Sequence, residues 1–270
     1  MVVQHNMQAM NTNRQLGITT SAQAKSTEKL SSGYRINRAA DDAAGLSISE
    51  KMRSQIRGLN KASSNAQDGV SAIQTAEGAL NETHSILQRM NELATQAAND
   101  TNTSIDRGAI RSEIDQLVSE IDRIQSTTQF NTMNLLDGNF TGKKLQVGAL
   151  EGQSITISIG NMNATSLSVN SLSVSSNAKA GSAMTKIQSA IDKVSTQRSA
   201  LGAVQNRLEH TIANLDTTSE NTQAAESRIR DTDMASEMVT YSKNNILAQA
   251  GQSMLAQANQ STQGALSLLQ

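Results

Sequence analysis

Few side chains in this 270-residue chain combine the type and the spacing that chemistry requires. The adjacent carboxylates Asp41 and Asp42 need not converge on one point, so we interpret them as hydrogen-bond acceptors in a loop. The segment Asp231-Thr232-Asp233 is similar to the start of a calcium loop, but the glycine and the final glutamate are out of register. We therefore predict a helix cap there. The histidines are far apart and have no ligand partner at helical spacing, so none is predicted to bind a metal: His5, His84 and His210.

A glycine-containing segment at 138–144 is only superficially similar to a phosphate-binding loop. It has three residues between its glycines instead of four, and Lys144 stands where a magnesium-binding Ser or Thr is needed. The chain also has no Cys, which excludes a thiol nucleophile, a disulfide and a Cys-ligated zinc site. We predict no catalytic residue, no metal site and no cofactor, and the chain is not expected to be an enzyme.

The composition further narrows the class of protein to which this chain can belong. A formal net charge of −1 argues against nucleic-acid and anionic-membrane partners, which need a strong basic field. No apolar run reaches 18 residues, so no transmembrane helix is predicted. The first residues lack the basic and apolar regions of a cleaved signal peptide. With only two Tyr, two Phe and no Trp, the core is predicted to be thin and elongated.

The elements that position these residues are mainly helical. Apolar residues step by four and three from Met52 to Leu87, and the same pattern recurs in two later segments, as in a heptad seam. Ser47-Ile48-Ser49-Glu50 fits a capping box at the first helix start. A polar turn at 99–104 predicts an antiparallel pair. The predicted helices form a long, coiled-coil-like antiparallel rod and run over about 47–98, 105–128 and 182–220.

The middle of the chain has a different period. Polar and apolar residues alternate in Lys144–Val147 and Ser154–Ile159, which is typical of strands. A short repeat, Ser166–Val169 and Ser171–Val174, follows. We predict a small β element with a hairpin over about 138–176.

Both ends are predicted to be helical but weakly amphipathic, over 3–31 and 234–270. Such helices bury too little apolar area to offset their own ordering entropy. They are expected to be ordered only by packing on each other or on other copies. Half of the predicted C-terminal seam is small or polar: Leu247, Ala250, Met254, Gln257, Ser261, Gly264 and Leu268.

Several motifs, in the same order along the chain, resemble bacterial flagellin. The longest are Ser31–Leu46, which contains Ser31-Ser32-Gly33-Tyr34-Arg35-Ile36, and Arg198–Leu208. The resemblance covers nearly everything outside about 138–180. The shorter matches are Leu87–Ala94, Gln129–Asn131, Leu135–Gly138, Ile246–Ala250 and Leu268–Gln270.

The resemblance implies a short flagellin without large outer variable domains. Residues 1–46 and 231–270 would form the inner helical core of a filament, and residues 47–230 the outer rod. The function implied is that of a structural subunit of the flagellar filament for swimming, located outside the cell. Implied partners are further copies of the chain, the type III export apparatus with an export chaperone, and the filament cap and hook-associated proteins.

The resemblance also implies two sets of contact residues. Flagellins with a similar rod-helix motif bind the host Toll-like receptor 5, and the matching positions here are Gln88, Arg89, Glu92 and Leu93, with Glu113 on the neighbouring helix. The competing interpretation is that Arg89 and Glu92 are simply solvated and Leu93 seals the rod. Residues expected to pack in the filament core are Leu247, Ala250, Met254, Leu266, Leu268 and Leu269.

Two other classes stay open at this point. A hook–filament junction protein would share the terminal helices but would not grow long filaments from seeds. A secreted coiled-coil adhesin would be stably helical as a monomer and would lack protease-labile ends.

Overall fold

The computed structural model describes the backbone of residues 6–267 and the side chains of residues 6–261. The predicted mainly helical class is confirmed, with two small antiparallel strand pairs between the third and fourth helices. The helices are α1 (Met7–Ser32), α2 (Ala43–Ala97), α3 (Ser104–Thr127), α4 (Asn177–Arg230) and α5 (Met234–Ser267). The strands are β1 (Gln129–Phe130), β2 (Met133–Asn134), β3 (Lys143–Gln146) and β4 (Ser154–Ile157).

The chain divides into two compact units. The central unit spans Gln55–Glu220. The terminal unit combines the residues up to Ser54 with those from Asn221 onward, so α2 and α4 contribute residues to both units.

Helices α2, α3 and α4 form an antiparallel bundle in the central unit. The predicted seams supply its core, because every large apolar seam residue from Leu59 to Leu215 is buried or half-buried. Polar pairs fix the register of α2 against α4: Ser63 donates to Asp216 over 2.9 Å, and Ser219 donates to Asn60 over 2.7 Å. Ser63, a polar residue within the apolar seam of α2, is therefore a satisfied polar contact between helices.

The first long helix begins earlier than predicted. It starts at Ala43, and the Asp42 carboxylate accepts a hydrogen bond from the Gly45 N–H over 2.8 Å. The capping box at Ser47–Glu50 is therefore wrong, because a nearer acceptor already satisfies the first turn. Helix α4 also extends beyond 182–220 at both ends, since the chain has no proline to stop it.

The β element is shorter than predicted. Strands β3 and β4 pair antiparallel, with Leu145 opposite Ile155. The repeat within 158–176 forms no strand. Its backbone forms local turns instead of pairing with another strand; for example, the Val169 N–H donates to the Ala164 carbonyl over 2.9 Å. Its apolar residues enter the core instead, and they are Leu167, Val169, Leu172 and Val174. The β1–β2 hairpin was not predicted.

Two glycines let the β3–β4 hairpin lie close to α2. A Cβ added at Gly69 would be 2.2 Å from Leu145 Cδ1, and one at Gly58 would be 2.8 Å from Ala149 Cβ. Between them, the Asn65 side-chain amide donates to the Gln146 carbonyl over 3.2 Å. The hairpin is thus attached to one face of α2 by close approach and one hydrogen bond.

In the terminal unit, α1 and α5 pack antiparallel. Asn6 donates to the Ala258 carbonyl over 3.0 Å, and Lys29 lies 3.8 Å from Glu237. A Cβ at Gly251 would lie 3.3 Å from Leu16 Cδ1, which shows how closely the two helices approach. The two end helices therefore contact each other within a single chain.

We expect opposite effects from adding one methyl group at two positions of α2. Gly69→Ala should lower the free energy of unfolding by about 1 kcal/mol, because Leu145 must leave its position. Gly78→Ala should raise it by about 0.5–1 kcal/mol, since nothing lies within 4 Å of the added Cβ and alanine favours helix. Chemical denaturation of both variants measures the difference. Equal stabilisation of both would show that the hairpin is not seated at Gly69.

Candidate functional site: the Arg89 patch and the terminal apolar surface

The carboxylates near the chain ends serve local structure, as predicted. Asp41 accepts from the backbone N–H groups of Arg38 and Asn37 over 3.0 and 3.2 Å. The hydrogen bonds from Arg38 and then Asn37 lower the pKa of the Asp41 carboxyl below its ordinary value. Asp233 accepts from Ala235 N–H over 3.0 Å and so caps the first turn of α5. These contacts account for both carboxylate segments without a metal.

The histidines are likewise separate from one another. His84 is half-buried at the α2 seam, and its Nε2 lies 3.0 Å from the Gln88 amide nitrogen. His210 is exposed, and His5 lies outside the described residues. Within the described part of the chain, no group of three or more His, Asp or Glu side chains is placed to hold a metal ion. None of the described helices has the length and apolarity to span a membrane.

Four of the predicted receptor-contact residues meet on the exposed faces of α2 and α3; we call them the Arg89 patch. They are Gln88, Arg89, Glu92 and Glu113. The Arg89 guanidinium is 3.0 Å from Glu113 across the helix pair and 3.1 Å from Glu92 on its own helix. The hydrogen bond to Glu113 and then that to Glu92 raise the pKa of Arg89 above its ordinary value. The patch is a preorganised, solvent-facing charge cluster.

The fifth residue, Leu93, is not part of this exposed patch. Its side chain is only 2% exposed and belongs to the core cluster of the central unit. The hypothesis that Leu93 fills a receptor pocket therefore disagrees with its burial. The competing interpretation, in which Leu93 seals the bundle, fits the structure. Helical spacing carried a signal for this burial, because Leu93 points about 100° away from exposed Glu92 and lies three residues after buried Met90.

The predicted C-terminal seam is displaced by one residue from the line that packs on α1. Between 246 and 261, the less exposed positions of α5 are Ala248, Gly251, Leu255 and Ala258. The predicted residues Leu247, Ala250 and Met254 are all exposed instead. Leu266 lies in α5 but its side chain is outside those described, and Leu268 and Leu269 lie outside the described residues.

Exposed large apolar side chains are concentrated on α1 and α5, and we call them the terminal apolar surface. Composition and period alone did not identify most of them, because they are sparse and follow no regular helical spacing. In the described part of these two helices they are Met7, Met10, Ile18, Met234, Met238, Val239, Ile246, Leu247 and Met254. Nine of the 13 large apolar side chains that are exposed in the described residues therefore lie on these two helices, where another chain could bury them.

Comparison with known proteins identifies the family. Residues 3–141 match the bacterial flagellin N-terminal helical region, and residues 184–269 match the bacterial flagellin C-terminal helical region. The chain belongs to the bacterial flagellin family.

Relatives match over the whole chain. A flagellin of Halalkalibacterium halodurans is 55% identical, with 100% of both chains covered. The flagellar filament 31.3 kDa core protein of Treponema maltophilum is 52% identical over the same full coverage, and a Bacillus subtilis flagellin is 50% identical. The expected short form fits relatives of this kind, since the alignments need no large additional domain.

Solved structures show the same fold. Bacillus cereus flagellin aligns with a TM-score of 0.52 and 33% identity, over 60% of this chain and 94% of that chain. A putative flagellar hook-associated protein from Vibrio parahaemolyticus aligns with a TM-score of 0.60 but only 12% identity, over 71% of this chain and 100% of that chain. The second likeness concerns the fold alone.

Two neighbouring substitutions on α2 should separate surface from core. Leu93→Ala should lower the free energy of unfolding by about 2–5 kcal/mol, because it removes a fully packed side chain. Arg89→Ala should leave the melting temperature unchanged, since exposed ion pairs contribute little. Calorimetry of the two purified variants checks both expectations. A large loss in Arg89→Ala would mean that the patch is a structural element of the bundle.

Proposed function

We propose that this chain is a structural subunit that polymerises into the bacterial flagellar filament and serves swimming. The observation that carries the proposal is the terminal apolar surface, which a lone subunit leaves in water. Full-length relatives named flagellin and flagellar filament core protein support it. A polymer of identical chains buries such a surface repeatedly, whereas an enzyme has no use for it.

Assembly in this proposal couples to ordering of the terminal helices. Among the described residues, the terminal unit has only four buried side chains: Ser26, Ile36, Ser49 and Ala258. Two of the four are small and polar, so α1 and α5 gain little from packing on each other. Burial of an exposed Leu or Met contributes roughly 1.5–3 kcal/mol, and each ordered residue costs about 1–2 kcal/mol of backbone entropy. Contacts with neighbouring subunits supply the missing burial.

The proposed route out of the cell is the flagellar type III export apparatus, with an export chaperone. A chain with no Cys and no Pro has no disulfide or proline isomerisation step to delay threading and refolding. Outside the cell, the filament cap and hook-associated proteins are its assembly partners. The filament core is proposed to comprise 1–46 and 231–270, and the outer rod 47–230.

A hook–filament junction protein is the alternative within the same fold. The likeness to a hook-associated protein is limited to the fold at 12% identity, whereas flagellins match at about half identity along the whole chain. Sequence relationship therefore favours the filament subunit. Continued growth from seeds distinguishes it from a junction protein, which stops growth.

The Arg89 patch is proposed as a contact for Toll-like receptor 5. It offers one cation and two carboxylates held by helix–helix geometry, so a receptor with complementary charges loses little entropy on binding. Because Leu93 is buried, the contact relies on Gln88, Arg89, Glu92 and Glu113.

Charge placed on the terminal apolar surface should block assembly without unfolding the subunit. Leu247→Asp should stop seeded filament growth, measured by light scattering and negative-stain microscopy, while the melting temperature stays unchanged. The matched control is Ile105→Asp, an equally drastic change at an exposed residue of α3, where Asp also suits the helix N-terminus. Filaments from Leu247→Asp, or their loss in Ile105→Asp, would contradict the proposed role of the surface.

Hydrogen exchange should reveal the coupled ordering directly. Amides of 234–261 should exchange much faster in the monomer than in the filament, whereas those of α2 between Leu59 and Leu93 should be protected in both states. The central-unit amides are the internal control. Strong protection of α5 in the free monomer would refute coupled ordering.

Receptor binding should depend on Arg89 independently of stability. Arg89→Ala should weaken binding to the receptor ectodomain by about tenfold or more if it is a hot spot, in a surface-plasmon experiment with the intact monomer. Arg123→Ala is the matched control, because Arg123 makes a similar exposed ion pair with Glu120 on α3. Equal binding by both variants and the unmodified chain would leave the patch without a receptor role.

A further inference from the structure

The oxidisable side chains of this protein are unevenly placed. The chain has 11 Met and neither Cys nor Trp. Among the described residues, Met90 and Met162 are buried, and Met52 and Met184 are half-buried. Of the six exposed methionines, five lie on α1 or α5: Met7, Met10, Met234, Met238 and Met254. The sixth is Met133, in the central unit.

These five methionines are most of the terminal apolar surface. They account for five of its nine described side chains. Met is flexible and polarisable, so it can pack against differently shaped neighbours. It is also the member of the surface whose polarity can be changed by a simple reaction.

That reaction is two-electron oxidation of the thioether. The sulfur lone pair attacks one oxygen of a peroxide, the O–O bond breaks, and an S–O bond forms. With hydrogen peroxide, the second oxygen leaves as hydroxide and takes the proton of the sulfur-bound hydroxyl, so that the products are the sulfoxide and water. Sulfur is oxidised to the sulfoxide and the peroxide is reduced. Without any thiol in the chain, no faster-reacting side chain competes for the oxidant.

We propose that Met7, Met10, Met234, Met238 and Met254 form a reversible oxidation site for peroxides, and that their sulfoxides prevent assembly. The proposal rests on the proposed function, because it needs the terminal apolar surface to be buried between subunits. A sulfoxide oxygen is a strong acceptor and is unfavourable in an apolar contact without a donor. Methionine sulfoxide reductases remove the oxygen and restore the thioether.

Whether a subunit is free or assembled then decides how readily peroxide oxidises its five methionines. The free subunit exposes all five methionine side chains, whereas a subunit within a filament has them covered by neighbours. Peroxide should therefore affect subunits before incorporation and spare existing filaments. The buried Met90 serves as an internal measure of whether the central unit has stayed folded.

The test uses the intact monomer treated with hydrogen peroxide, with sulfoxide mapped by peptide mass spectrometry. Seeded growth should fall at least tenfold as the five sites oxidise, and it should return after treatment with both methionine sulfoxide reductases. A variant with all five residues changed to Leu should grow at the same rate with and without peroxide. Met133→Leu, the matched control, should remain as sensitive as the unmodified chain.

Two results would overturn the oxidation site. One is unchanged growth of monomer that carries sulfoxide at all five positions. The other is equal sensitivity of the five-Leu variant, which keeps Met1, Met133 and the four buried or half-buried methionines. If the five-Leu variant does not assemble, the unmodified chain still tests the proposal. Its growth must then fall as sulfoxide forms at these five sites and recover as that sulfoxide is reduced, whatever the level of sulfoxide at Met133. Failure of untreated, unmodified monomer to grow from seeds would instead refute the proposed function.

Discussion

Unequal burial of apolar side chains is the constraint on which this structure depends. In the central unit, the seams of α2, α3 and α4 meet, and residues such as Leu80, Leu87 and Ile187 are fully buried. In the terminal unit, the described side chains that are buried are few and mostly small. One unit is therefore stabilised by a core of its own, whereas the other has few buried apolar side chains to stabilise it.

Polar contacts within the central unit determine how its helices align. Heptad seams of Leu, Ile and Ala tolerate sliding by a full repeat, because one apolar layer resembles the next. Ser63 with Asp216 and Asn60 with Ser219 favour a single register, since a slip would leave these groups without partners. The Arg89 patch depends instead on how α2 aligns with α3, because Arg89 and Glu113 come from these two helices.

The terminal helices α1 and α5 pack differently from the helices of the central unit. Large side chains in their mutual contact are sparse, and Gly251 brings α5 close to Leu16. The larger apolar residues are turned to solvent, where a polymer can use them. Because five of these are methionines, one set of side chains provides adaptable packing and also a chemical vulnerability. A surface of Leu and Ile would still be apolar, but it would lose both the adaptable packing and the sensitivity to oxidation.

The sequence alone determined the helical class, the three seams and the family. Periodicity indicates which side of a helix is apolar, and motifs in a fixed order, such as Ser31–Leu46, indicate the protein family. It also assigned Asp233 correctly as a cap, because capping is local. Tertiary structure decided what depends on a partner element: burial of Leu93, the one-residue shift of the α5 seam from Leu247, and the loss of strand at 158–176. Neighbouring residues on a helix differ by about 100° in direction, so a weak seam cannot specify its inward side until another helix occupies it.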